Sequence, residues 1–157
     1  MTRVLLGLAL ALAGAGVSGC PNALPVSVPG LGGAGQSDQE QIAAVLDDVH
    51  QGMQRRRIYR VLAHVSRAYQ DEQGRDYEAI QAYLNEIFSA YRSIRIVRAQ
   101  PKIYVQGDEA TVIETFGTTA EPATTGDYPP LNLQGNVNVR LQQVDGRWLI
   151  TQWGPLN

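Results

Sequence analysis

The chain has 157 residues, with 13 Lys and Arg against 15 Asp and Glu, which gives a net charge of −2. Nucleic-acid binding needs a clustered positive surface, so this slightly acidic balance argues against a nucleic acid as a partner. Only one cysteine is present, so no disulfide can form within the chain and the fold must be held by its apolar core. The length suits one domain of ordinary size.

Residues 1–19 have the order of a secretory signal. Arg3 supplies a positive charge, an apolar run of Val, Leu, Ala and Gly follows, and small residues precede Cys20. A membrane-spanning helix needs about 20 apolar residues, and this run is shorter and is followed by Pro21. We therefore predict a cleaved signal peptide over residues 1–19 that takes no part in the fold.

Cys20 has three interpretations: a disulfide between chains, a free thiol, or a modified residue. Val17-Ser18-Gly19-Cys20 resembles the lipobox of bacterial lipoproteins, and an ordinary signal peptide is the alternative. The resemblance implies cleavage before Cys20 and a diacylglycerol on its sulfur. Two or three acyl chains hold a protein at a membrane far more firmly than one chain does. We then expect an exported, lipid-anchored protein with its domain facing the periplasm, while the choice between inner and outer membrane stays open.

Residues 20–36 are predicted to be the lipidated cysteine followed by a flexible tether. The stretch "PNALPVSVPGLGGAGQ" is uncharged and rich in Pro and Gly, which is typical of a linker with a reach on the order of 20 Å. A poorly packed first strand through Val26 and Val28 is the alternative. Residues 37–157 then form a single domain.

Three helices are predicted in the first half of this domain. A capping box of Ser37 and Glu40 opens a helix from Asp38 to about Met53. A second, shorter helix follows, and Asp76 caps the third. Gly74 is predicted to be left-handed in the connection before the third helix. The apolar stripe of the second helix is Ile58, Val61, Leu62 and Val65, and that of the third is Ile80, Tyr83, Leu84, Ile87, Phe88 and Tyr91.

After Tyr91 the pattern changes to strands. Residues 94–105 are predicted to form one long strand that is broken or bulged near Pro101, because proline cannot serve a central ladder. Further strands are predicted over residues 110–118, 136–144 and 147–153, with a loop over residues 119–132. Asp145-Gly146 indicates a hairpin between the last two strands. Helices followed by antiparallel strands define an α+β fold.

This element order resembles the nuclear transport factor 2-like superfamily, which includes SnoaL-like domains. The motifs that carry the resemblance are Gly107-Asp108-x-Ala110-x-Val112 and Gly146-Arg147-Trp148-x-Ile150. It implies three N-terminal helices packed on a curved antiparallel sheet of about four strands, curled into a cone with a pocket at its open end. A cystatin-like domain with one long helix is the alternative fold. The same cone serves polyketide cyclases, ketosteroid isomerase, scytalone dehydratase and non-enzymatic binding domains, so the fold does not choose the function.

Enzymes of this superfamily place an Asp or Glu in the apolar cone, where burial raises the carboxyl pKa. Glu114 lies in line with an apolar stripe of its strand and is the candidate general base. His64 and Tyr69 are its candidate companions as hydrogen-bond donors. In the alternative, Glu114 faces solvent or pairs with Arg98 or Arg140, and His64 caps its helix. His50 and His64 lie too far apart for a helical metal pair, so we predict no metal and no cofactor.

A basic cluster follows the first helix. On a membrane-anchored protein it would lie against anionic headgroups, with each charge contributing about 1 kcal/mol. The alternative is a solvated cluster that is partly neutralised by Asp47 and Asp48. Its members are Arg55, Arg56, Arg57 and Arg60.

Two functions are compatible with the sequence. The first is a non-enzymatic lipoprotein domain that binds a protein or a small apolar ligand through its cone or sheet. The second is a small lyase or isomerase with Glu114 as the general base. The expected partners are the membrane, through the lipid anchor, and a second copy of the chain paired through the sheet.

Overall fold

The computed structural model describes residues 36–155. The predicted signal peptide, Cys20 and most of the predicted tether therefore lie outside the described residues. Within these described residues, three helices precede an antiparallel sheet of five strands, in the order β1-β3-β4-β5 with β2 also paired to β3. The elements are α1 Asp38–Gln54, α2 Ile58–Leu62, α3 Tyr77–Ala90, β1 Tyr91–Arg98, β2 Lys102–Gln106, β3 Glu109–Pro122, β4 Leu131–Val144 and β5 Arg147–Pro155.

The α+β class with three helices on an open antiparallel sheet is confirmed, but the sheet has five strands where the sequence predicted about four. The predicted long strand over residues 94–105 is two strands, β1 and β2, that pair with opposite halves of β3. Residues 99–101 lie outside both strands, because Pro101 has no N–H to donate to a ladder. The predicted loop over residues 119–132 is also shorter, since β3 extends to Pro122 and β4 begins at Leu131.

The beginning of α1 follows the sequence prediction closely. The backbone N–H of Ser37 donates to Glu40 Oε2 at 2.8 Å, and the Ser37 hydroxyl accepts from the Glu40 backbone N–H at 3.4 Å. Asp38 then accepts a hydrogen bond from the indole of Trp148 at 3.2 Å. Because Trp148 lies on β5, this contact fixes the first turn of α1 against the sheet.

The predicted turn residues have the backbone angles expected of them. Asp145 and Gly146 have φ values of 49° and 74°, and two positive φ values in a two-residue loop define the type I′ turn that matches strand twist. Gly74 has a φ of 76°, as predicted for the connection before α3. Local sequence therefore determined these two turns.

The core lies between α1 and the inward face of the sheet. Ile42, Leu46 and Val49 of α1 are buried together with Val112 of β3 and Val139 of β4. Along β3, alternation puts every second side chain on this inward face. None of the helices within residues 36–155 has the length and apolar character needed to cross a membrane.

The contact between α1 and α2 requires a glycine. A Cβ atom on Gly52 would lie 2.8 Å from Cγ2 of Val61, which is closer than carbon atoms can approach without a shift. We predict that Gly52→Ala lowers the free energy of unfolding. Overpacking costs about 1–3 kcal/mol, which outweighs the gain in helix propensity of at most about 1 kcal/mol. Urea unfolding followed by tryptophan fluorescence measures the change.

Gly135→Ala is the matched control, because a Cβ there would meet Phe116 at an ordinary 3.7 Å. Its stability is expected to stay the same or to rise slightly. Wild-type stability in Gly52→Ala would show that α2 does not pack on α1 as described.

Candidate functional site

A cavity of about 580 Å³ lies between the helices and the inward face of the sheet. Its walls are mostly apolar, and its volume falls within the range of about 300–1,000 Å³ that is usual for small-molecule sites. Apolar side chains from α1, α3 and all of the longer strands contribute. Representative members are Met53, Ile87, Ile96, Phe116, Val137 and Trp153.

Glu114 is a charged residue in this mostly apolar wall. It lies at the middle of β3, on the inward face, and its side chain is 0% exposed. Arg98 of β1 donates from Nη1 to Glu114 Oε1 at 2.9 Å. The same guanidinium also pairs with Asp47 of α1, so Arg98 bridges a surface carboxylate and a buried one.

His50 of α1 is the second partner of Glu114. Its Nε2 lies 3.1 Å from Glu114 Oε2, although that oxygen receives no well-aligned hydrogen bond within the described residues. The other ring nitrogen, Nδ1, lies 2.5 Å from the carbonyl oxygen of Leu46. The ring also contacts Trp153 edge-on, with centroids 5.9 Å apart. The imidazole is therefore held on both sides.

These contacts define what each ring nitrogen faces. A carbonyl oxygen only accepts, so Nδ1 of His50 is placed to donate to Leu46. Nε2 faces Glu114 Oε2, with which it forms an ion pair when the ring is protonated. Arg98 donates to the other oxygen of the same carboxylate, so both oxygens of Glu114 face a basic side chain.

The pKa of Glu114 reflects the same balance. Burial opposes its negative charge and would raise the pKa, but His50 and Arg98 together outweigh burial and hold the pKa below its ordinary value. A carboxyl that stays ionised at neutral pH is suited to an ion pair. It is less suited to the raised pKa that general acid–base catalysis uses.

A second polar group lies at another part of the wall. The hydroxyl of Tyr69 lies 3.4 Å from both Asp71 Oδ2 and the carbonyl oxygen of Trp153. Arg75 donates to the same Asp71 oxygen at 2.7 Å. Burial, followed by the negative charge of Asp71, raises the pKa of Tyr69 to about 12, so the phenol stays protonated. Burial of Asp71 is more than offset by hydrogen bonds from Arg75, and the pKa of Asp71 is lowered.

The three candidate residues do not form one group. Glu114 is fully buried and pairs with Arg98, which is one of the alternatives that the sequence left open. His64 lies 2.8 Å from Asp48, where Arg60 and His64 together lower the pKa of the Asp48 carboxyl. Tyr69 also lines the cavity, but it belongs to the separate polar group with Asp71 and Arg75.

Sequence reasoning missed His50 as a partner of Glu114. The signal was present, because His50 follows Leu46 by four residues and Ile42 by eight, so it extends the apolar stripe of α1. A histidine on a buried helix face must find polar partners. What the sequence did not contain was the strand residue that faces it.

Two of the four arginines in the basic cluster have polar partners. Arg56 donates to the carbonyl oxygens of Phe88 and Tyr91 at 3.3 and 3.2 Å, and Arg60 pairs with Asp48. Three members of the cluster are exposed and have no acidic partner among residues 36–155, namely Arg55, Arg56 and Arg57. In the same part of the chain, no group of three or more His, Cys, Asp and Glu is placed to hold a metal ion.

Comparisons with solved structures identify the fold. A proposed scytalone dehydratase from Novosphingobium aromaticivorans has a TM-score of 0.65 at 16% identity, over 73% of this chain and 80% of its own. A nuclear transport factor 2-like superfamily protein from Salmonella enterica has 0.63 at 15% identity, over 76% and 92% of the two chains. A type 2 hexachlorocyclohexane dehydrochlorinase has 0.62 at 13% identity, over 76% and 88%.

No protein-family model matches the sequence, and no curated protein has significant similarity to it. The structural similarity therefore defines the class of fold, which is nuclear transport factor 2-like. At these low identities the likeness shows the fold alone, and the residues of the site must carry any argument about function.

We predict that Glu114→Ala lowers the free energy of unfolding by about 3–5 kcal/mol, because it leaves Arg98 and His50 without their counter-charge in a buried site. Glu114→Gln keeps the shape and one acceptor for Arg98, so a smaller loss is expected. Urea unfolding at neutral pH measures both. Losses below 1 kcal/mol in both variants would contradict the buried ion pair, since exposed pairs contribute about that much.

The pH dependence isolates this carboxyl. Because folding lowers its pKa, its contribution to stability is complete above the ordinary value of 4.5 and is lost as the pH falls through the lower folded value. The gap in unfolding free energy between wild type and Glu114→Gln is therefore expected to narrow below pH 4.5. A gap that stays constant on acidification would count against the assignment.

Proposed function

We propose that this protein is a lipoprotein, anchored to a bacterial membrane and facing the periplasm, whose domain binds a small apolar molecule without catalysing a reaction on it. One observation carries the binding function. The cavity of about 580 Å³ has largely apolar walls, and the charged groups in those walls are already paired with one another. An apolar ligand would release water from this surface, which is the main favourable term in such binding.

The walls also disfavour an ionic ligand. A charged ligand would have to leave water and find an opposite charge inside the cavity. Glu114 is already paired with Arg98 and contacts His50, and Asp71 is already paired with Arg75. A neutral ligand with an apolar body therefore suits the site best.

A lyase or isomerase remains the second candidate, favoured by the His50–Glu114 pair at the cavity wall. The dehydratase and the dehydrochlorinase among the fold relatives support the same candidate. A general base must reach the proton that it removes, yet Glu114 is 0% exposed and both ring nitrogens of His50 face protein atoms. Catalysis would require His50 to swing away from its partners, so the binding function has the stronger support.

Filling the cavity tests the binding function. Gly135 lies on β4 at the cavity wall, and a side chain there would enter the cavity beside Phe116. We predict that Gly135→Leu weakens binding of the fluorescent apolar probe N-phenyl-1-naphthylamine by about tenfold or more, equivalent to about 1.4 kcal/mol. Probe fluorescence and energy transfer from Trp153, which also lines the cavity, measure the affinity.

Asn132→Leu is the matched control. Asn132 is exposed on the same strand and pairs with Thr119, on the face of the sheet opposite to the cavity. This variant introduces the same leucine side chain outside the cavity, so the affinity of the variant for the probe is expected to equal that of wild type. Equal affinities in both variants would show that the probe binds elsewhere and would remove the support for a cavity ligand.

The anchor is a separate part of the proposal and rests on the resemblance of Val17-Ser18-Gly19-Cys20 to a lipobox. We predict that Cys20→Ala leaves an uncleaved or soluble precursor, because the acceptor of the diacylglycerol is removed. Metabolic labelling with a radioactive fatty acid and membrane fractionation measure the change. Normal fractionation of the variant, or no label on the wild type, would contradict lipidation, while Ser18→Ala controls for substitution in the motif.

A further inference from the structure

The surface around α2 carries positive charge that the domain does not neutralise. Residues 49–70 contain five arginines and no Asp or Glu, in a chain whose net charge is −2. Arg56 donates to backbone carbonyl oxygens in the last turn of α3 and at the start of β1, and Arg60 pairs with Asp48. The other three, which have no acidic partner in the described part of the chain, are Arg55, Arg57 and Arg67.

A groove of about 350 Å³ lies beside α2 and extends this surface. Arg67 and Arg147 both line it, and Arg147 likewise has no acidic partner within residues 36–155. The Arg67 guanidinium lies 4.0 Å from the centroid of the Tyr77 ring, which orients it without neutralising it. Tyr59 of α2 lines the same groove and is 82% exposed. Two arginines thus flank an exposed aromatic ring.

We propose that this surface, made of Arg57, Tyr59, Arg67 and Arg147 and here named the α2 surface, docks on the headgroups of anionic lipids. Guanidinium groups bind phosphate oxygens through paired N–H donors. Tyrosine is enriched at the membrane–water interface because its ring is apolar and its hydroxyl is polar. The composition of the α2 surface therefore matches a layer of lipid phosphates.

A membrane suits the α2 surface better than an acidic protein does. A stable protein interface has an apolar centre that excludes water. Tyr59 is the single large apolar side chain of the α2 surface that is exposed; the other exposed ones in the described chain belong to other elements. Dispersed arginines around one ring suit a planar layer of charge, which offers a phosphate at each position.

The effect expected is orientation of a protein that is already at the membrane. Each basic residue near an anionic surface strengthens binding by about fivefold at ordinary salt, which is far less than acyl chains contribute. The α2 surface would therefore decide which side of the domain faces the lipid. This inference rests on the membrane anchor proposed above and does not depend on what the cavity binds.

The experiment uses the full chain reconstituted in vesicles of phosphatidylcholine, alone or mixed with phosphatidylglycerol. An environment-sensitive dye is attached at Tyr59→Cys and, in a matched control, at Tyr104→Cys, which replaces a tyrosine that is 54% exposed on β2. The chain without an added cysteine is treated with the dye in the same way, and its fluorescence measures any dye that attaches to Cys20. Quenching by spin-labelled lipid is expected at position 59 in the anionic vesicles and not at position 104. Equal quenching at both positions, or none at position 59, would overturn the proposal.

Charge removal separates headgroup binding from simple proximity. The triple variant Arg57→Gln, Arg67→Gln, Arg147→Gln is expected to lose most of the quenching at position 59. The control removes three charges from the opposite face of the sheet, where each pairs in register with a β3 residue that faces away from the core: Arg95→Gln, Lys102→Gln and Arg140→Gln. Equal losses in the two triple variants would contradict a specific α2 surface.

Polyglutamate added without vesicles tests the acidic-protein alternative. If the dye at position 59 responds to polyglutamate but is not quenched by spin-labelled lipid, the partner is an acidic polypeptide and the lipid proposal is wrong. Quenching by lipid that polyglutamate and high salt both reverse supports an anionic lipid surface, because exposed charges are screened by salt.

Discussion

The rest of the structure depends on how the charge of Glu114 is buried. An ionised carboxylate removed from water costs several kcal/mol unless opposite charges replace its hydration. Arg98 comes from β1 and His50 from α1, so pairing one residue at the centre of β3 fixes both β1 and α1 against it. The His50 ring also packs against Trp153 of β5, so the same histidine links α1 to a third strand.

The same pairing shapes the cavity. With Arg98 and His50 directed at Glu114, and Arg75 directed at Asp71, the charges of the wall satisfy one another. What remains open to a ligand is mostly aliphatic and aromatic surface. Fold relatives that are described as enzymes have the same architecture, so our proposal of a binding function rests on how these few polar groups are paired and not on the fold.

Features that depend on neighbouring residues were predictable. The capping box of Ser37, the cap at Asp76 and the turn at Asp145-Gly146 are confirmed, since their hydrogen bonds and φ values are set within a few residues. The number of strands was harder to predict from the sequence. Pro101 signalled a break, but whether the chain after it continues in the same strand or forms another depends on pairing with the distant β3.

The sequence by itself determined the class of fold, the order of its helices and most of its strands, and Glu114 as a charge in an apolar stripe, because periodicity and turn chemistry are local. Only the tertiary structure decided that Glu114 meets His50 and Arg98 rather than His64 and Tyr69. It also decided which arginines near α2 are neutralised and which stay exposed. Those outcomes depend on which side chains from distant elements face each other, and a linear pattern records the face of a residue but not its partner.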